Sequence, residues 1–552
     1  MYTEIIARIC IAWYIFIACV CTIGYVYLFI HYRRAPARAA ILSKLKQDIP
    51  HVTVIRPCKG IEPYLYECLA STFQQDYPRD KITVYFCVSS RSDTAYKTIE
   101  AVVKDHPDHD ARIYIEEEDN EAADQESYRA HLGPNPKIRN MSRAYREAKG
   151  DLIWIIDCNV WVGPGICART VDRLCGFTTT NKPATPYKLV HHLPISVDVD
   201  NYSIGRKRTD SSAYDETSST DLGQSSLVRS TAWTRNINRY GGRLEELFLS
   251  SAHAKMYVAI NMVAVAPCIV GKSNMFRRSH LDHLTSERAR LESQKQAEHP
   301  PGEASTGIDY FSRNICEDHL IGDMLWKSKL PKLPGWPKRM RNHGLVLGDL
   351  AIQPVSGMTV ANYIARRVRW LRVRKFTVPT ATLVEPGTES FLCSAYGAFG
   401  VTTCQATRTI FGETWTWFSL WWLVSIAVWA TVDWTVYLLL HSGRTIEAAN
   451  DEANVPEFAT PLNQSVIQAR RPFKTWLYAW LGREALTLPI WTWAIWGGAT
   501  VTWRDRRFWV GLDMKVHEIR ESHEDSNGIS RLGHANGRAN GNAHIDGKKR
   551  TE

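Results

Sequence analysis

The sequence predicts an α/β domain with a mostly parallel sheet, tethered by transmembrane helices near both ends of the chain. Three observations carry this. Leu152–Ile156, inside DLIWIIDCNVWV, is a continuous apolar run of the length and β-branched content of a strand buried on both faces. From His51 onward strand-like and helix-like segments alternate at the spacing of strand–helix–strand units, which join parallel strands by right-handed crossovers. Ile9–Ile30 is nearly all apolar or aromatic and about long enough to cross a bilayer.

Taken in order, residues 1–8 form a lumenal N-terminus and 9–30 a retained anchor. No small-residue cleavage site follows the anchor. Its C-terminal flank carries Arg33, Arg34, Arg38, Lys44 and Lys46 against Arg8 before it, so the domain that follows is cytosolic by the positive-inside bias. Residues 31–390 form that domain. HVTVIRPCKG reads as a strand and a Pro/Gly turn, Ile61–Gln75 as a helix, and KITVYFCV (Lys81–Val88) as a strand running into a polar turn at Ser89–Asp93. Arg112–Ile115 is a shorter strand, Glu116–Gln125 an acidic loop, and Pro134–Lys149 a helix leading to Leu152–Ile156. Lys188–Pro194 is a further strand bearing His191 and His192, which as neighbours point to opposite faces. Residues 205–230 and 284–307, polar and charged, read as insertions. Lys255–Phe276 is apolar but interrupted by Pro267, Gly271 and Lys272, and reads as sheet and core. Cys316-Glu317-Asp318 opens a helix through Lys327, Leu345–Ile352 is a strand, and Ala361–Lys375 is a basic helix on which Arg366, Arg369 and Trp370 share a face.

Residues 391–510 form a C-terminal membrane region. Trp415–Leu440 and Trp476–Trp503 each have the apolar length to cross, and Phe391–Phe411 is weaker. Arg504, Arg506 and Arg507 indicate a return to the cytosol, which makes the loop His441–Arg471 lumenal and Asn463-Gln464-Ser465 a usable glycosylation sequon. Residues 511–552 form a polar, disordered tail.

Composition bounds the function. The chain has 552 residues, is 45% hydrophobic and carries 20 Trp, many in the apolar C-terminal third, as membrane-interface aromatics would be. A net charge of +10 suits nucleotide phosphates or an acidic membrane surface. The 13 Cys show no CxxC pair and no metal spacing, as reduced thiols of a cytosolic domain would.

Asp93, Asp157 and Asp318 thus stand at separate strand or helix ends, ahead of the Arg/Trp helix. Sugar transfer from a nucleotide donor needs such groups. One carboxylate can hold the nucleoside, a second a divalent metal on the diphosphate, and a third can deprotonate the acceptor hydroxyl, while cationic and aromatic side chains stabilise the departing diphosphate. Each has a plainer alternative: a solvated Asp turn at Asp157, helix capping at Glu317-Asp318, and a basic amphipathic helix lying on anionic lipid at 361–375.

The order Asp93, Asp157, Asp318, then Arg366-Arg367-Val368-Arg369-Trp370, resembles the D, D, D, (Q/R)xxRW pattern of inverting glycosyltransferases, and more closely the ceramide glucosyltransferase family of fungal type. Arg56-Pro57-Cys58-Lys59-Gly60 resembles that family's KPLKG. Asp76-Tyr77-Pro78, Asn135-Pro136-Lys137-Ile138-Arg139-Asn140 and Leu152-Ile153-Trp154-Ile155 match its DYP, NPKxxN and LIWI segments. Leu189-Val190-His191 with Leu193-Pro194 resembles LVHGLP, and Glu317-Asp318 the AED element. The resemblance covers roughly residues 10 to 510. It implies a GT-A-like nucleotide-diphospho-sugar transferase fold and transfer of glucose from UDP-glucose to the C1 hydroxyl of ceramide, with inversion, at a cytosol-facing Golgi or ER membrane. By position it implies Asp318 as general base, Arg366, Arg369 and Trp370 at the diphosphate and acceptor, Asp93 on the uridine, Asp157 on the metal–diphosphate, and Lys59 and His191 near the donor. The cofactor implied is magnesium or manganese; Asp157-Cys158-Asn159 lacks the second carboxylate of a DxD. Partners are UDP-glucose, ceramide and the membrane, with no nucleic acid. The rival readings are a processive polysaccharide synthase of the hyaluronan or chitin synthase type, which needs a helix bundle as export channel, and a non-catalytic lipid-binding protein.

Overall fold

The apolar run at 152–156 lies at the centre of an eight-stranded sheet. Its strands are β1 (Val52–Pro57), β2 (Ile82–Val88), β3 (Asp110–Ile115), β4 (Leu152–Ile156), β5 (Trp161–Val162), β6 (Tyr187–Asp198), β7 (Ser273–Arg277) and β8 (Arg341–Val355), in the order β3-β2-β1-β4-β7-β6-β8-β5. The computed structural model describes residues 1–43, 48–118, 132–180, 182–200, 240–295, 306–331, 336–447, 455–460, 471–503 and 506–519. β3, β2, β1 and β4 pair in parallel; β7 runs antiparallel between β4 and β6; β8 is parallel to β6, and β5 antiparallel to β8. The sheet is therefore mixed but mostly parallel. β1, β2 and β4 are buried along their whole length, as strands covered on both faces must be.

Besides two short helices at Pro379–Val384 and Arg408–Phe411, the described residues form α1 (Tyr2–His31), α2 (Leu65–Ala70), α3 (Ala95–Asp105), α4 (Pro136–Arg146), α5 (Ile166–Cys175), α6 (Gly241–Ser250), α7 (Ala252–Val263), α8 (Arg278–Lys295), α9 (Glu317–Lys327), α10 (Val360–Thr377), α11 (Ser390–Thr403), α12 (Trp415–Leu440) and α13 (Phe473–Trp496). Two short motifs show how side chains bind the strand ends together. Arg56, fully buried at the end of β1, donates from Nη2 to the carbonyls of Cys68, Cys158 and Val160 at 2.7, 3.2 and 3.0 Å, fixing the turn after β4. Asn135 caps α4 by accepting from the N–H groups of Lys137 and Ile138, with Pro136 at the first helical position. One turn on, Asn140 donates to the carbonyls of Cys58 and Cys87, clamping the ends of β1 and β2.

Tyr2–His31 and Trp415–Leu440 are long and apolar enough to cross a bilayer. α1 packs against α7, α11 and α12. The segment 255–276, read as sheet and core, is α7 as far as Val263 and β7 from Ser273, with buried core residues in both. α7 is apolar because it lies against α1: a Cβ at Gly24 would stand 2.1 Å from the carbonyl oxygen of Lys255, so the two backbones touch.

The C-terminal reading needs three corrections. Helix α13 ends at Trp496, and Thr500–Trp503 is a strand, so 476–503 is not one continuous span. With β10 (Arg506–Val510) and β11 (Val516–Glu518) that strand, β9, makes a separate antiparallel sheet. Residues 516–518 of the expected disordered tail are therefore paired. The described residues of the loop 441–471, expected on the lumenal side, pack instead on the α/β domain. Glu447 pairs with Arg169 of α5 at 2.6 Å, Phe458 packs edge-on against Tyr64 with ring centres 5.1 Å apart, and Arg471 pairs with Glu246 at 3.0 Å. The sequon at Asn463, the insertion 205–230, residues 296–305 of the second insertion and the tail beyond 519 lie outside the described residues. All thirteen cysteines are free. Lys104→Cys on α3 and Thr460→Cys in the loop are expected to react with a membrane-impermeant maleimide from the same side of sealed vesicles; labelling from opposite sides would contradict this packing.

Candidate active site

The carboxyl end of β4 delivers Asp157 to a row of alternating charges. Lys137 of α4 lies 2.9 Å from Asp157 Oδ1 and 3.2 Å from Glu317 Oε1, and Lys272, just before β7, lies 3.1 Å from Asp157 Oδ2. Asn135 adds a contact from Nδ2 to Glu317 Oε2 at 3.3 Å. Burial opposes the charge on Asp157, but Lys137 and Lys272 outweigh it and hold the carboxyl well below the usual range. Burial likewise opposes the charge on Lys137, and Asp157 and Glu317 together push its ammonium above the ordinary lysine value.

Asp318, beside Glu317 in the first turn of α9, has a different environment. It makes no ion pair within 4 Å among the described residues. Burial raises its pKa, Lys137 opposes the rise and the charge of Asp157 adds to it, leaving the carboxyl above the ordinary value. Gly271 packs on it: a Cβ there would stand 3.0 Å from Asp318 Oδ2. One carboxylate held strongly ionised near another with a raised pKa is an arrangement that separates a charge-holding role from a proton-accepting one.

Asp157 and Asp318 line a cavity of about 940 Å³, together with Lys59, Lys137, Lys272, Arg366, Arg369 and Trp370. Helix α10 presents its motif inward. Arg366 pairs with Glu245 of α6 at 2.9 Å and lies 4.8 Å from the centre of the Trp370 ring. Arg367, which sequence reasoning passed over, also lines the cavity, pairs with Glu385 at 3.1 Å and stacks on Phe248 at 3.5 Å. The farther basic residues turn to α13: Arg372 and Lys375 donate to carbonyls of residues 494–500. These protein contacts hold the helix in place.

Two residues fall elsewhere. Asp93 accepts from the N–H groups of Gly60 at 2.8 Å and Ala95 at 2.9 Å, tying the loop after β1 to the start of α3, and does not line the cavity. His191 is fully buried on β6 and also off the cavity. Its Nδ1 is 2.6 Å from the hydroxyl of Tyr257, whose ring does line the cavity, and burial then the neighbouring His343 push its pKa well down. His191 therefore stands one side chain behind the wall, not in position for direct donor contact. Its neighbour His192 faces the other way, to Ser273 and Thr170.

Lys137 and Lys272 are functional candidates that sequence reasoning missed. A signal for the first was present: a lysine in the first turn of a helix opposes the macrodipole unless a carboxylate faces it. Asp157, the expected metal residue, has each oxygen on an ammonium group, and no group of three His, Cys, Asp or Glu side chains that could hold an ion occurs among the described residues. These residues do not fit a magnesium or manganese ion held by the protein, and no step below depends on one. Two lysines and an arginine pair at one end of a cavity suit a diphosphate.

The two candidate membrane spans also contribute to the lining of the same cavity. Trp13, Phe16, Ile17 and Val20 of α1 and Trp429 of α12 line it. The cavity is therefore charged at one end and apolar at the other.

The profile of glycosyl transferase family 21 matches residues 14–202, 218–285 and 304–516. The chain belongs to this family. It is a glycosyltransferase, 48% identical over 529 residues to a ceramide glucosyltransferase of Pyricularia oryzae, covering 94% of this chain and 96% of that one. Similar proteins of the same name occur in Gibberella zeae, at 43% over 91% of each chain, and in Candida albicans, at 33% over 92% of this chain and 96% of the relative. Among solved structures, a mannosyltransferase of Pyrobaculum calidifontis in complex with GDP-mannose and Mn2+ aligns over 77% of this chain and 98% of its own, at 15% identity and a TM-score of 0.33.

Lys137→Met would leave two carboxylates around a buried gap and is expected to cost about 3–5 kcal/mol of stability. Adding Glu317→Gln should recover part of that in denaturant unfolding of the detergent-solubilised protein. Strictly additive losses would contradict the coupling.

Proposed function

We propose that the chain transfers glucose from UDP-glucose to the primary hydroxyl of ceramide, with inversion, giving β-glucosylceramide. The observation that carries this reading is the single cavity joining Asp318 and the Arg366–Trp370 motif to the apolar wall of α1; the ceramide glucosyltransferase relatives supply the substrate pair. Ceramide is too apolar to leave the bilayer, so an active site must reach it there, and a cavity walled by a candidate span does so.

The donor diphosphate lies at the cationic end, near Lys59, Lys272 and Arg369, with Arg366 and Trp370 beside the transferred sugar and acceptor. Asp93 orients the uridine by way of the loop it holds at Gly60. His191 acts on the donor side through Tyr257. As the ceramide oxygen attacks C1 of glucose, its O–H proton passes to Asp318, the C1–O bond to the diphosphate breaks, and UDP departs. A primary alcohol is a poor nucleophile until its proton is leaving, and a positioned base contributes about 10²–10⁴-fold. Electrostatic stabilisation of the departing diphosphate falls to the lysines and arginines. The raised pKa of Asp318 keeps it basic enough to take the proton, while the depressed one of Asp157 keeps that group charged. The catalytic domain faces the cytosol of a Golgi or ER membrane, where the basic flank of α1 directs it.

Microsomes containing the chain, given UDP-[¹⁴C]glucose and a fluorescent ceramide, are expected to form an alkali-stable monoglucosyl lipid. A labelled polymer instead would favour a polysaccharide synthase, and no product from intact protein a lipid-binding role. Asp318→Asn is expected to abolish transfer while UDP-glucose binding survives; retained turnover would remove Asp318 from the role of base. The rate should fall as pH drops through a value above the ordinary aspartate range, because a base raised in pKa is protonated earlier on acidification. An acid limb at or below that range would contradict the assignment.

A further inference from the structure

Beside the apolar lining of the cavity lies a cluster of buried charges: Lys255, Asp433, Glu389 and Glu484 line it, and Arg483 pairs with both glutamates. Lys255 of α7 and Asp433 of α12 form an ion pair, and each is 1% exposed. Both line the cavity, in the company of Trp13, Phe16, Ile17, Val20 and Trp429. Trp429 faces the ammonium at 4.7 Å from its ring centre. Each oxygen of Asp433 has a partner: beyond Lys255 on Oδ1, its Oδ2 accepts from Trp480 Nε1 at 2.8 Å, with Arg483 3.7 Å away. The Lys255 ammonium has three N–H donors, and Asp433 is its one hydrogen-bond partner among the described residues. Its position is fixed by backbone contact, since α1 approaches the Lys255 carbonyl so closely that only a glycine fits at position 24. A buried ion pair is a weak source of stability, whereas an ionisable group facing a cavity at membrane depth marks a site of function.

Resting on the acceptor reading above, we propose that Lys255 is a specificity-determining residue: its spare donors receive the amide carbonyl of the lipid acceptor, with Asp433 holding the ammonium charged and aimed. The apolar chains then lie along α1 and Trp429, and the primary hydroxyl is left towards Asp318. An acceptor without a carbonyl at that place leaves a buried donor unpaired and is disfavoured by the hydrogen bond it fails to make.

The test compares two acceptors, N-hexanoylsphingosine and the analogue with methylenes in place of its N–C=O unit, on the parent chain and on Lys255→Met/Asp433→Leu, which removes both charges together. The parent chain is expected to prefer the amide by about 10- to 100-fold in kcat/KM, the worth of one hydrogen bond to a charged group. The double variant should lose that preference through acceptor KM, with the KM for UDP-glucose unchanged. Equal losses on both lipids would make the pair merely structural and overturn the proposal. A double variant that does not fold is replaced by Lys255→Arg, which keeps the charge and must retain the amide preference; its loss there would overturn the proposal as well. A parent chain that glucosylates neither lipid would instead overturn the acceptor reading itself, and this proposal with it.

Discussion

Lys137 is the interaction on which the site depends. It joins two elements, the carboxyl end of β4 through Asp157 and the first turn of α9 through Glu317. Placing an ammonium group in the first turn of a helix and burying it are both unfavourable. They are tolerated because two carboxylates converge on it and because Asn135 both caps the helix and reaches Glu317. The consequence is chemical as well as mechanical. Lys137 and Lys272 keep Asp157 ionised, while Asp318, one residue from Glu317, is left outside the pairs and retains a raised pKa. One row of charges thus sets two neighbouring carboxylates to different tasks.

The candidate spans are part of the same construction. α1 contacts α7 at Gly24 and brings an apolar wall to the cavity that holds Asp157 and Asp318. The small C-terminal sheet supports the other side. Val516 donates from its backbone N–H to the carbonyl of Arg313 at 2.8 Å, and Asn314 to that of Met514 at 2.9 Å, so residues just before α9 rest on a chain segment some two hundred positions later. Trp503 of that sheet also reaches the cavity wall. The end of the chain is thereby tied to the placement of Asp318.

Much of this was legible in the sequence, for physical reasons that can be stated. A strand buried on both faces has no choice but a continuous apolar run, so β4 and the position of Asp157 at its end were plain. The inward face of α10 followed from helical spacing, and Arg366, Arg369 and Trp370 do line one cavity. What was not legible depended on long-range partners. Lys137 and Lys272 look like surface lysines until the carboxylates facing them are known. The resemblance put His191 near the donor, but the residue is fully buried, with Tyr257 of α7 against it. Asp93 is a turn-forming carboxylate in the fold whatever else it does. Counting Arg504, Arg506 and Arg507 as a membrane flank misplaced the loop 441–471, because 506 and 507 belong to a strand and the loop's own contacts, Glu447 to Arg169 and Phe458 to Tyr64, lie with the α/β domain.

The central claim is that one cavity serves both the charged donor and the membrane-held acceptor. Its most direct test is photo-crosslinking in nanodiscs with a ceramide bearing a diazirine in its acyl chain, in the presence of UDP, followed by peptide mapping. Labelling should concentrate on the cavity face of α1 at Trp13, Ile17 and Val20 and on Trp429, and should fall when unlabelled ceramide competes. Labelling confined to outward residues such as Ile9 and Ile15, indifferent to competition, would contradict a shared cavity.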